Sequence, residues 1–265
     1  MLQSILSAIP ADNPWREQIQ YFDNITSTND VLKQLAAQGA PEGTTLIAGC
    51  QTNGKGRLGR QFLSPPETGI YLSVLLRPQC HPTDLMHLTC AAGSAACDAI
   101  QTAANFCPSI KWANDIVFQK RKLAGILVEM VIGEARELDC AIIGIGINCN
   151  QEPTDFPESI RDFAGSIKMA TGKSIEQALV AAATVNSFYE LNRTLLTQKD
   201  AILEAYRRKC ITIGQHVSVV RGDTVRHGLA LDVDEQAALV VQYDGGETEH
   251  VSSGEVSVRG LYNYV

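Results

Sequence analysis

The sequence predicts an α+β protein, in which a β-sheet flanked by helices is followed by a small β-barrel. Residues 138–148 are apolar and β-branched almost throughout, which is typical of a central strand buried on both faces. Residues 83–104 are rich in alanine and carry an apolar stripe at helical spacing, which predicts a long helix. After Gly214, short β-prone runs alternate with turn residues, as they do in small barrels.

The first half of the chain alternates strand-like and helical segments. Ser27 or Thr28 can cap a helix that reaches residue 38, and Gly39 then stops it. A Pro-Pro pair at residues 65–66 keeps the chain irregular before the next strand. The strand candidates of this half lie at residues 19–22, 44–50, 69–76, 110–112, 116–118 and 123–131.

The second half contains helices and then the barrel. The predicted helices span roughly residues 158–171, 174–196 and 201–209. None of them carries conspicuous chemistry, so we assign them to packing. The barrel strands are predicted at residues 217–220, 225–233, 238–243, 248–251 and 256–259. We therefore divide the chain into a first domain over residues 1–211 and a C-terminal barrel over residues 212–265.

Composition limits the classes of function. The 265 residues include 22 Lys and Arg against 29 Asp and Glu, a net charge of −7, which disfavours general nucleic-acid binding. The eight cysteines form no C-x-x-C pair and are not expected to build a disulfide framework. Neither a signal peptide nor a membrane span is recognisable, so a reducing cytoplasm is the expected location.

Residues 51–60 read Q-T-N-G-K-G-R-L-G-R, and this loop is the first candidate for a site. Three glycines alternate with Lys55, Arg57 and Arg60. Glycines let a backbone approach a ligand closely, and the cations attract anions. The loop matches neither a P-loop nor a dinucleotide-binding motif. On an acidic protein it favours a small anionic ligand over DNA, although a solvated surface turn would have a similar composition.

Further candidates lie at the ends of predicted elements. The hydroxyls at the start of the first predicted helix can cap it and also receive a polar ligand. Gly144 and Gly146 would let another element or a ligand approach the central strand closely. Asn148 leaves that strand where it can reach a site.

With these segments located, the chain resembles the biotin–protein ligases over most of its length from about Tyr21 onward. Four stretches carry the resemblance in the family's order: S-T-N at 27–29, the loop at 51–60, K-W-A-N-D with R-K-L-A-G-I-L at 111–127, and G-I-G-I-N at 144–148. G-E-V-S-V-R at 254–259 is similar to the family's C-terminal domain. The resemblance implies a class II aminoacyl-tRNA synthetase-like fold with a central mixed β-sheet flanked by helices, followed by an SH3-like barrel.

The activity that the resemblance implies has two steps. The biotin carboxylate attacks the α-phosphate of ATP in the presence of Mg²⁺, giving biotinyl-5′-AMP and pyrophosphate. A lysine of a biotin carboxyl carrier protein then attacks this intermediate and releases AMP. Two anions meet in the first step, so the site needs fixed positive charge. Family members occur as monomers or homodimers.

The resemblance also implies roles for individual residues. Lys122 and Arg57 would be catalytic, Lys122 at the carboxylate and the transferring phosphate and Arg57 at the phosphate of the intermediate. Biotin would contact Ser27, Thr28, Asn29, Gln51, Lys55, Gly56, Arg57 and Lys122. The nucleotide would contact Arg57, Arg60, Lys111, Asn114, Asp115 and Asn148, with Asp115 next to Mg²⁺.

Simpler interpretations exist for several of these residues. Lys111 and Lys122 could be solvated turn charges, residues 114–115 a hairpin turn, and Asn148 a strand-end cap. The chain also departs from the family's pattern in three places: Lys55 replaces an arginine, Ala113 a proline, and Phe62 a tryptophan. Lysine keeps the charge but loses bidentate hydrogen bonding, so we expect altered affinity and loop kinetics rather than a different reaction.

Two alternatives bear on function. A lipoate or octanoyl ligase or transferase has a related fold, but the polar residues near Ser27 favour a ureido ring over an aliphatic chain. A non-catalytic protein that binds biotinyl-AMP or a nucleotide is the second alternative, against which the intact Lys122 and Arg57 argue. Some family members also repress transcription. Only 26 residues precede Ser27 here, fewer than a DNA-binding domain of about 50 residues needs, so no DNA binding is expected.

Overall fold

A mixed seven-stranded sheet forms the centre of the molecule. The computed structural model describes residues 1–133, 137–252 and the backbone of 257–260. The sheet consists of β1 (Ile19–Phe22), β2 (Thr45–Ala48), β3 (Gly69–Leu76), β4 (Ser109–Lys111), β5 (Asp115–Phe118), β6 (Arg121–Ile132) and β7 (Leu138–Asn148), in the order β1-β2-β3-β7-β6-β5-β4. β1 and β2 are parallel, and the other neighbours are antiparallel.

Helices cover both faces of this sheet. They are α1 (Leu2–Ala8), α2 (Thr28–Ala37), α3 (Leu88–Ala104), α4 (Ile167–Thr171), α5 (Gln177–Thr194) and α6 (Lys199–Lys209). Leu32 and Ala36 of α2 pack with Leu46, Leu75 and Ile142 in a small apolar cluster. The larger core contains the buried residues of α3 and α5. Four short 3₁₀ helices lie at Pro14–Gln18, Arg57–Gly59, Pro82–Leu85 and Pro153–Asp155.

A second, antiparallel sheet follows α6. Its strands are β8 (His216–Arg221), β9 (Thr224–Val233), β10 (Leu239–Tyr243), β11 (Thr248–Val251) and β12 (Ser257–Gly260), in the order β11-β10-β9-β8-β12. The predicted fold class, a mixed sheet flanked by helices with a small C-terminal β domain, is confirmed. Residues 254–256 of the G-E-V-S-V-R stretch lie outside the described residues, and the boundary at residue 212 stays a prediction.

The central position of β7 is confirmed, and its glycines are needed for close packing. All its residues except Asp139 are buried. A Cβ atom added at Gly144 would lie 2.0 Å from Asn29 Oδ1, and one added at Gly146 would lie 2.3 Å from the Phe62 ring. Any larger residue would therefore push α2 or Phe62 away from the sheet.

Two predicted helices differ from the structure. The helix predicted at 83–104 begins only at Leu88, after the 3₁₀ helix Pro82–Leu85. The helix predicted at 158–171 is wrong for residues 158–166, and only α4 is α-helical there. Residues 163–166 instead run beside Lys122, with which Ala164 forms a parallel β-bridge. This tertiary pairing overrides the local preference for helix.

Trp112 joins the two sheets. Its indole Nε1–H donates to Ala237 O at 3.2 Å, its backbone N–H donates to Thr212 Oγ1 at 2.9 Å, and the residue is buried.

We expect Trp112→Phe to lower the free energy of unfolding by about 1–3 kcal/mol more than Trp15→Phe, because the Ala237 carbonyl loses its donor. Urea denaturation measures both. Trp15 is equally buried, but its indole N–H has no hydrogen bond among the described residues. Equal losses would contradict this role.

Candidate active site

A narrow cleft lies between the N-terminus of α2, the glycine loop, and the face of β6 and β7. Its lining residues are Ser27, Thr28, Asn29, Gln51, Lys55, Phe62, Gly125, Leu127, Gly144, Ile145 and Gly146. The first five come from two separate stretches of the sequence and were predicted to bind biotin. The structure therefore brings these predicted residues together in one cavity.

The N-terminus of α2 supplies the polar end of the cleft. Ser27 is its N-cap, as predicted, and its Oγ accepts from Asp30 N at 3.4 Å. Thr28 N–H and Thr28 Oγ1 lie 2.8 and 3.1 Å from Gln51 Oε1. Gln51 Nε2 donates to Ser64 Oγ at 3.0 Å. The amide orientation of Gln51 is thus fixed from both sides, and its second N–H is available to a ligand.

A partly buried network that we did not predict from the sequence supports these residues. Glu129 accepts from Asn29 Nδ2 at 2.9 Å and from Lys33 Nζ at 2.7 Å. Burial raises the pKa of Glu129, but these hydrogen bonds outweigh it and hold that pKa below its ordinary value. Because the nitrogen of Asn29 faces the carboxylate, its Oδ1 faces Ser73 Oγ, 2.6 Å away. Ser73 Oγ also lies 2.7 Å from Thr28 Oγ1.

Ser73 is fully buried, so its removal should disturb the cleft. We expect Ser73→Ala to raise the KM for biotin about tenfold, because Asn29 and Thr28 lose a buried hydrogen-bond partner. The KM for ATP should change much less. Steady-state kinetics with each substrate varied in turn measures both constants. Ser7→Ala is the control, since the Ser7 hydroxyl bonds a backbone carbonyl on the exposed face of α1. A parallel rise in both KM values would argue against a local role.

The predicted catalytic cations, Arg57 and Lys122, belong to a second cluster of polar side chains. Arg57 Nη1 donates to Asn114 Oδ1 at 2.9 Å, and Lys122 Nζ lies 2.6 Å from Asp115 Oδ1. Asn114 Nδ2 donates to Ile126 O at 2.8 Å, which fixes its amide on β6. Burial lowers the pKa of the Arg57 guanidinium, and the Asp115 carboxylate opposes this shift. Arg57 keeps its charge, because an arginine does not lose its proton in a protein.

Lys122 connects this group to the cleft. Its Nζ lies 5.8 Å from the centre of the Phe62 ring. A Cβ atom added at Gly125, which lines the cleft, would lie 3.0 Å from the same nitrogen. The Lys122 ammonium therefore stands at the border between the cleft and the Arg57–Asn114 contact, where two anions could meet.

The glycine loop folds onto itself and onto α2. Gly56 N donates to Arg60 O at 2.7 Å, and Leu58 adopts a left-handed conformation with φ of 56°. Lys55 Nζ lies 2.5 Å from Asp30 Oδ1, and this hydrogen bond raises the pKa of Lys55. Both side chains are partly exposed, so the ion pair is weak and easily exchanged for a ligand.

The other predicted nucleotide-binding residues lie around this group. Lys111 is half-buried and lies opposite Asp115 in the strand register of β4 and β5, and Arg60 is exposed at the end of the loop. Asn148 does not line the cleft. Its Nδ2 donates to Gly165 O at 2.9 Å, and its Oδ1 accepts from Gln151 Nε2 at 3.2 Å. These contacts agree with the simpler interpretation of Asn148 as a strand-end cap and still leave each polar atom capacity for a ligand.

The fit of a metal ion rests on Asp115. In the described parts of the chain, no group of three His, Cys, Asp or Glu side chains could hold a metal. Mg²⁺ often binds through one or two carboxylates, with waters and substrate phosphates completing its octahedron. A lone Asp115 therefore fits Mg²⁺ that arrives with a nucleotide and does not form a site for a metal by itself.

Comparisons with known proteins agree with this arrangement. The biotin/lipoate A/B protein ligase family matches residues 21–148, and the biotin protein ligase C terminal domain matches residues 212–259. The chain is 33% identical over 231 residues to the bifunctional ligase/repressor BirA of Bacillus subtilis, covering 87% of this chain and 71% of that protein. The chain belongs to the biotin protein ligase family. This confirms the resemblance and the prediction of a ligase.

Two further proteins match this chain over nearly its whole length. The biotin–[acetyl-CoA-carboxylase] ligase of Mycobacterium tuberculosis is 32% identical, over 94% of this chain and 91% of its own length. The Aquifex aeolicus biotin protein ligase in complex with biotin and ATP superposes with a TM-score of 0.76 at 28% identity, over 91% of this chain and 98% of that one. Among the described helices, none has the length and apolar character that a membrane span requires.

Proposed function

We propose that this protein activates biotin with ATP to biotinyl-5′-AMP and then transfers biotin to a lysine of a biotin carboxyl carrier protein. The observation that carries the proposal is the position of Lys122 Nζ beside the cleft and 2.6 Å from Asp115. Residues suited to biotin and residues suited to a nucleotide thus meet at one cation.

The cleft suits the two chemical halves of biotin. The ureido ring needs several hydrogen bonds, which Ser27, Thr28 and Gln51 can make at the N-terminus of α2. The sulfur-containing ring is apolar and suits the glycine floor of β7 together with Leu127 and Ile145. An aliphatic acid such as lipoate would leave the buried polar groups of the cleft unpaired, which disfavours the lipoate alternative.

In the first step, a biotin carboxylate oxygen bonds to the α-phosphorus, and the bond from this phosphorus to the bridging oxygen breaks. Pyrophosphate leaves with the electron pair. The chain's task is to hold two anions together, and Lys122 and Arg57 supply the positive charge. Both exchange their present partners, Asp115 and Asn114, for substrate oxygens. Asp115 would hold Mg²⁺, which supplies additional positive charge at the phosphates when it is bound.

In the second step, the neutral amine of the carrier lysine attacks the acyl carbon. The new C–N bond forms, the C–O bond to the phosphate breaks, and AMP leaves with the electron pair. The amine's proton is lost to solvent. Arg57 would hold the departing phosphate, and Arg60, Lys111, Asn114 and Asn148 would position the nucleotide.

The proposal is tested by incubating the protein with ATP, Mg²⁺ and labelled biotin or labelled lipoate, with and without a biotin carrier domain. We expect biotin to label the carrier lysine and lipoate not to. Labelling by lipoate alone would overturn the proposal. A tightly bound adenylate that never transfers its label would support the non-catalytic alternative instead.

A further inference from the structure

Residues 163–166 form a short segment that touches both a predicted catalytic residue and a predicted nucleotide-binding residue. The segment lies directly before α4 and consists of Phe163, Ala164, Gly165 and Ser166. The sequence predicts that these residues belong to a helix that serves packing alone. Its contacts indicate a more specific role.

The segment is paired by its backbone with Lys122. Lys122 N donates to Phe163 O at 2.6 Å, and Gly165 N donates to Lys122 O at 2.9 Å. Arg121 strengthens the same contact, since its Nη1 donates to Ala164 O at 3.0 Å. The start of β6, from which the Lys122 side chain projects, is therefore fixed by this segment on one side and by β5 on the other.

The same segment holds Asn148. Asn148 Nδ2 donates to Gly165 O at 2.9 Å, so Gly165 binds Lys122 through its N–H and Asn148 through its carbonyl. Ser166 Oγ donates to Gln151 O at 2.7 Å, and Gln151 Nε2 donates to Asn148 Oδ1. Asn148, Gln151 and Ser166 are all buried, so these contacts are shielded from water.

Gly165 tolerates no side chain in this position. An added Cβ would lie 2.8 Å from Arg121 Cβ and 3.2 Å from Leu123 Cδ2. Arg121 Cβ is attached directly to the backbone of β6, so a rotamer change cannot relieve the contact. Substitution would therefore move the segment away from β6, and with it the carbonyl that Asn148 binds.

We infer that residues 163–166 are a positioning segment that sets the distance between Lys122 and Asn148, with Gly165 as its central residue and Gln151 as a second support of Asn148. The inference rests on the proposed function, in which Lys122 binds the reacting phosphate and Asn148 another part of the same nucleotide. A displacement of about 1 Å between such groups can reduce a rate about 100-fold. The biotin cleft shares no residue with the segment, which reaches biotin only through Lys122 at the carboxylate, so the larger effect falls on the nucleotide.

The test compares Gly165→Ala with Gly245→Ala, a glycine for which no atom of the described residues lies within 4 Å of an added Cβ. We expect Gly165→Ala to raise the Kd for ATP, measured by calorimetry without biotin, and to lower the kcat for pyrophosphate release by about 10- to 100-fold. The Kd for biotin should change less than about twofold, and Gly245→Ala should resemble the wild type. A segment that served stability alone would weaken both ligands equally, which would overturn the inference.

A second variant covers the case in which Gly165→Ala does not fold. Gln151→Met removes the amide that supports Asn148, and within the described part of the chain Gln151 Oε1 has no hydrogen-bond partner to lose. We expect the same selective loss of ATP affinity, about fivefold, since one neutral hydrogen bond is removed. Unchanged ATP affinity in this variant would also overturn the inference. A failure of the proposed function would be seen in the wild-type protein itself, which would then bind ATP but release no pyrophosphate when biotin is added.

Discussion

Lys122→Ala is expected to lower the rate of biotinyl-AMP formation by about 100-fold or more, because the transition state loses a charge directed at the reacting oxygens. The Lys122 ammonium is the group that lies both beside the cleft and next to Asp115. Pyrophosphate release measures the first step alone. Biotin binding without ATP should weaken less, since the cleft keeps its polar end.

The controls for Lys122→Ala separate charge from folding. Lys173→Ala removes an exposed lysine after α4 and should leave pyrophosphate release unchanged. Because Lys122→Ala also removes a cation 2.6 Å from Asp115 Oδ1, Lys122→Arg is the second control, since it keeps a positive charge beside that carboxylate. Normal pyrophosphate release in Lys122→Ala would refute the catalytic role.

The parts of the fold that were predicted well are those whose pattern is local. The strands predicted at 19–22, 69–76 and 138–148 have the bounds of β1, β3 and β7. β3 and β7 are apolar runs, which burial in the sheet interior selects, and β1 is a β-prone run at the sheet edge. The cap of α2 at Ser27 follows from similar local chemistry.

The parts that were missed depend on distant partners. Ser73 and Glu129 are single polar residues within apolar strands, and their partners Asn29 and Lys33 are far away in sequence. Their signal is the polar residue itself, since a buried polar side chain needs a hydrogen-bond partner. The sequence does not show which partner it has. The β-bridge formed by Ala164 likewise depends on Lys122, some 40 residues earlier.

The structure also shows that the predicted cations have protein partners. Lys55 pairs with Asp30, Lys122 with Asp115, and Arg57 with Asn114. These contacts reduce the electrostatic repulsion between the three cations. A substrate anion must therefore displace or share a partner, so binding energy depends on the difference between two sets of contacts rather than on the number of cations. Lys55, which replaces the family's arginine, is expected to shift this balance because it forms fewer hydrogen bonds.

Arg57→Gly is expected to speed the dissociation of biotinyl-AMP by roughly 10- to 100-fold, which corresponds to the ~1.5–3 kcal/mol of a hydrogen bond to a charged group. The Arg57 guanidinium is half-buried and held by Asn114, so it is oriented before a phosphate arrives. Such preorganisation reduces the entropy lost on binding. Release of labelled adenylate into an excess of unlabelled ligand measures the rate.

Leu58→Gly is the matched control for this variant, because it places a glycine at the next position of the same loop. Leu58 already has a φ of 56°, a value that glycine adopts without strain, so the loop should keep its shape. If added flexibility alone loosens the loop, both variants will release the adenylate faster. If the lost guanidinium matters, only Arg57→Gly will release the adenylate faster than Leu58→Gly does. The off-rate of Arg57→Lys should then lie between those of Arg57→Gly and the wild type, because lysine keeps the charge without the planar fork. Equal off-rates in Arg57→Gly and the wild type would show that another group holds the phosphate.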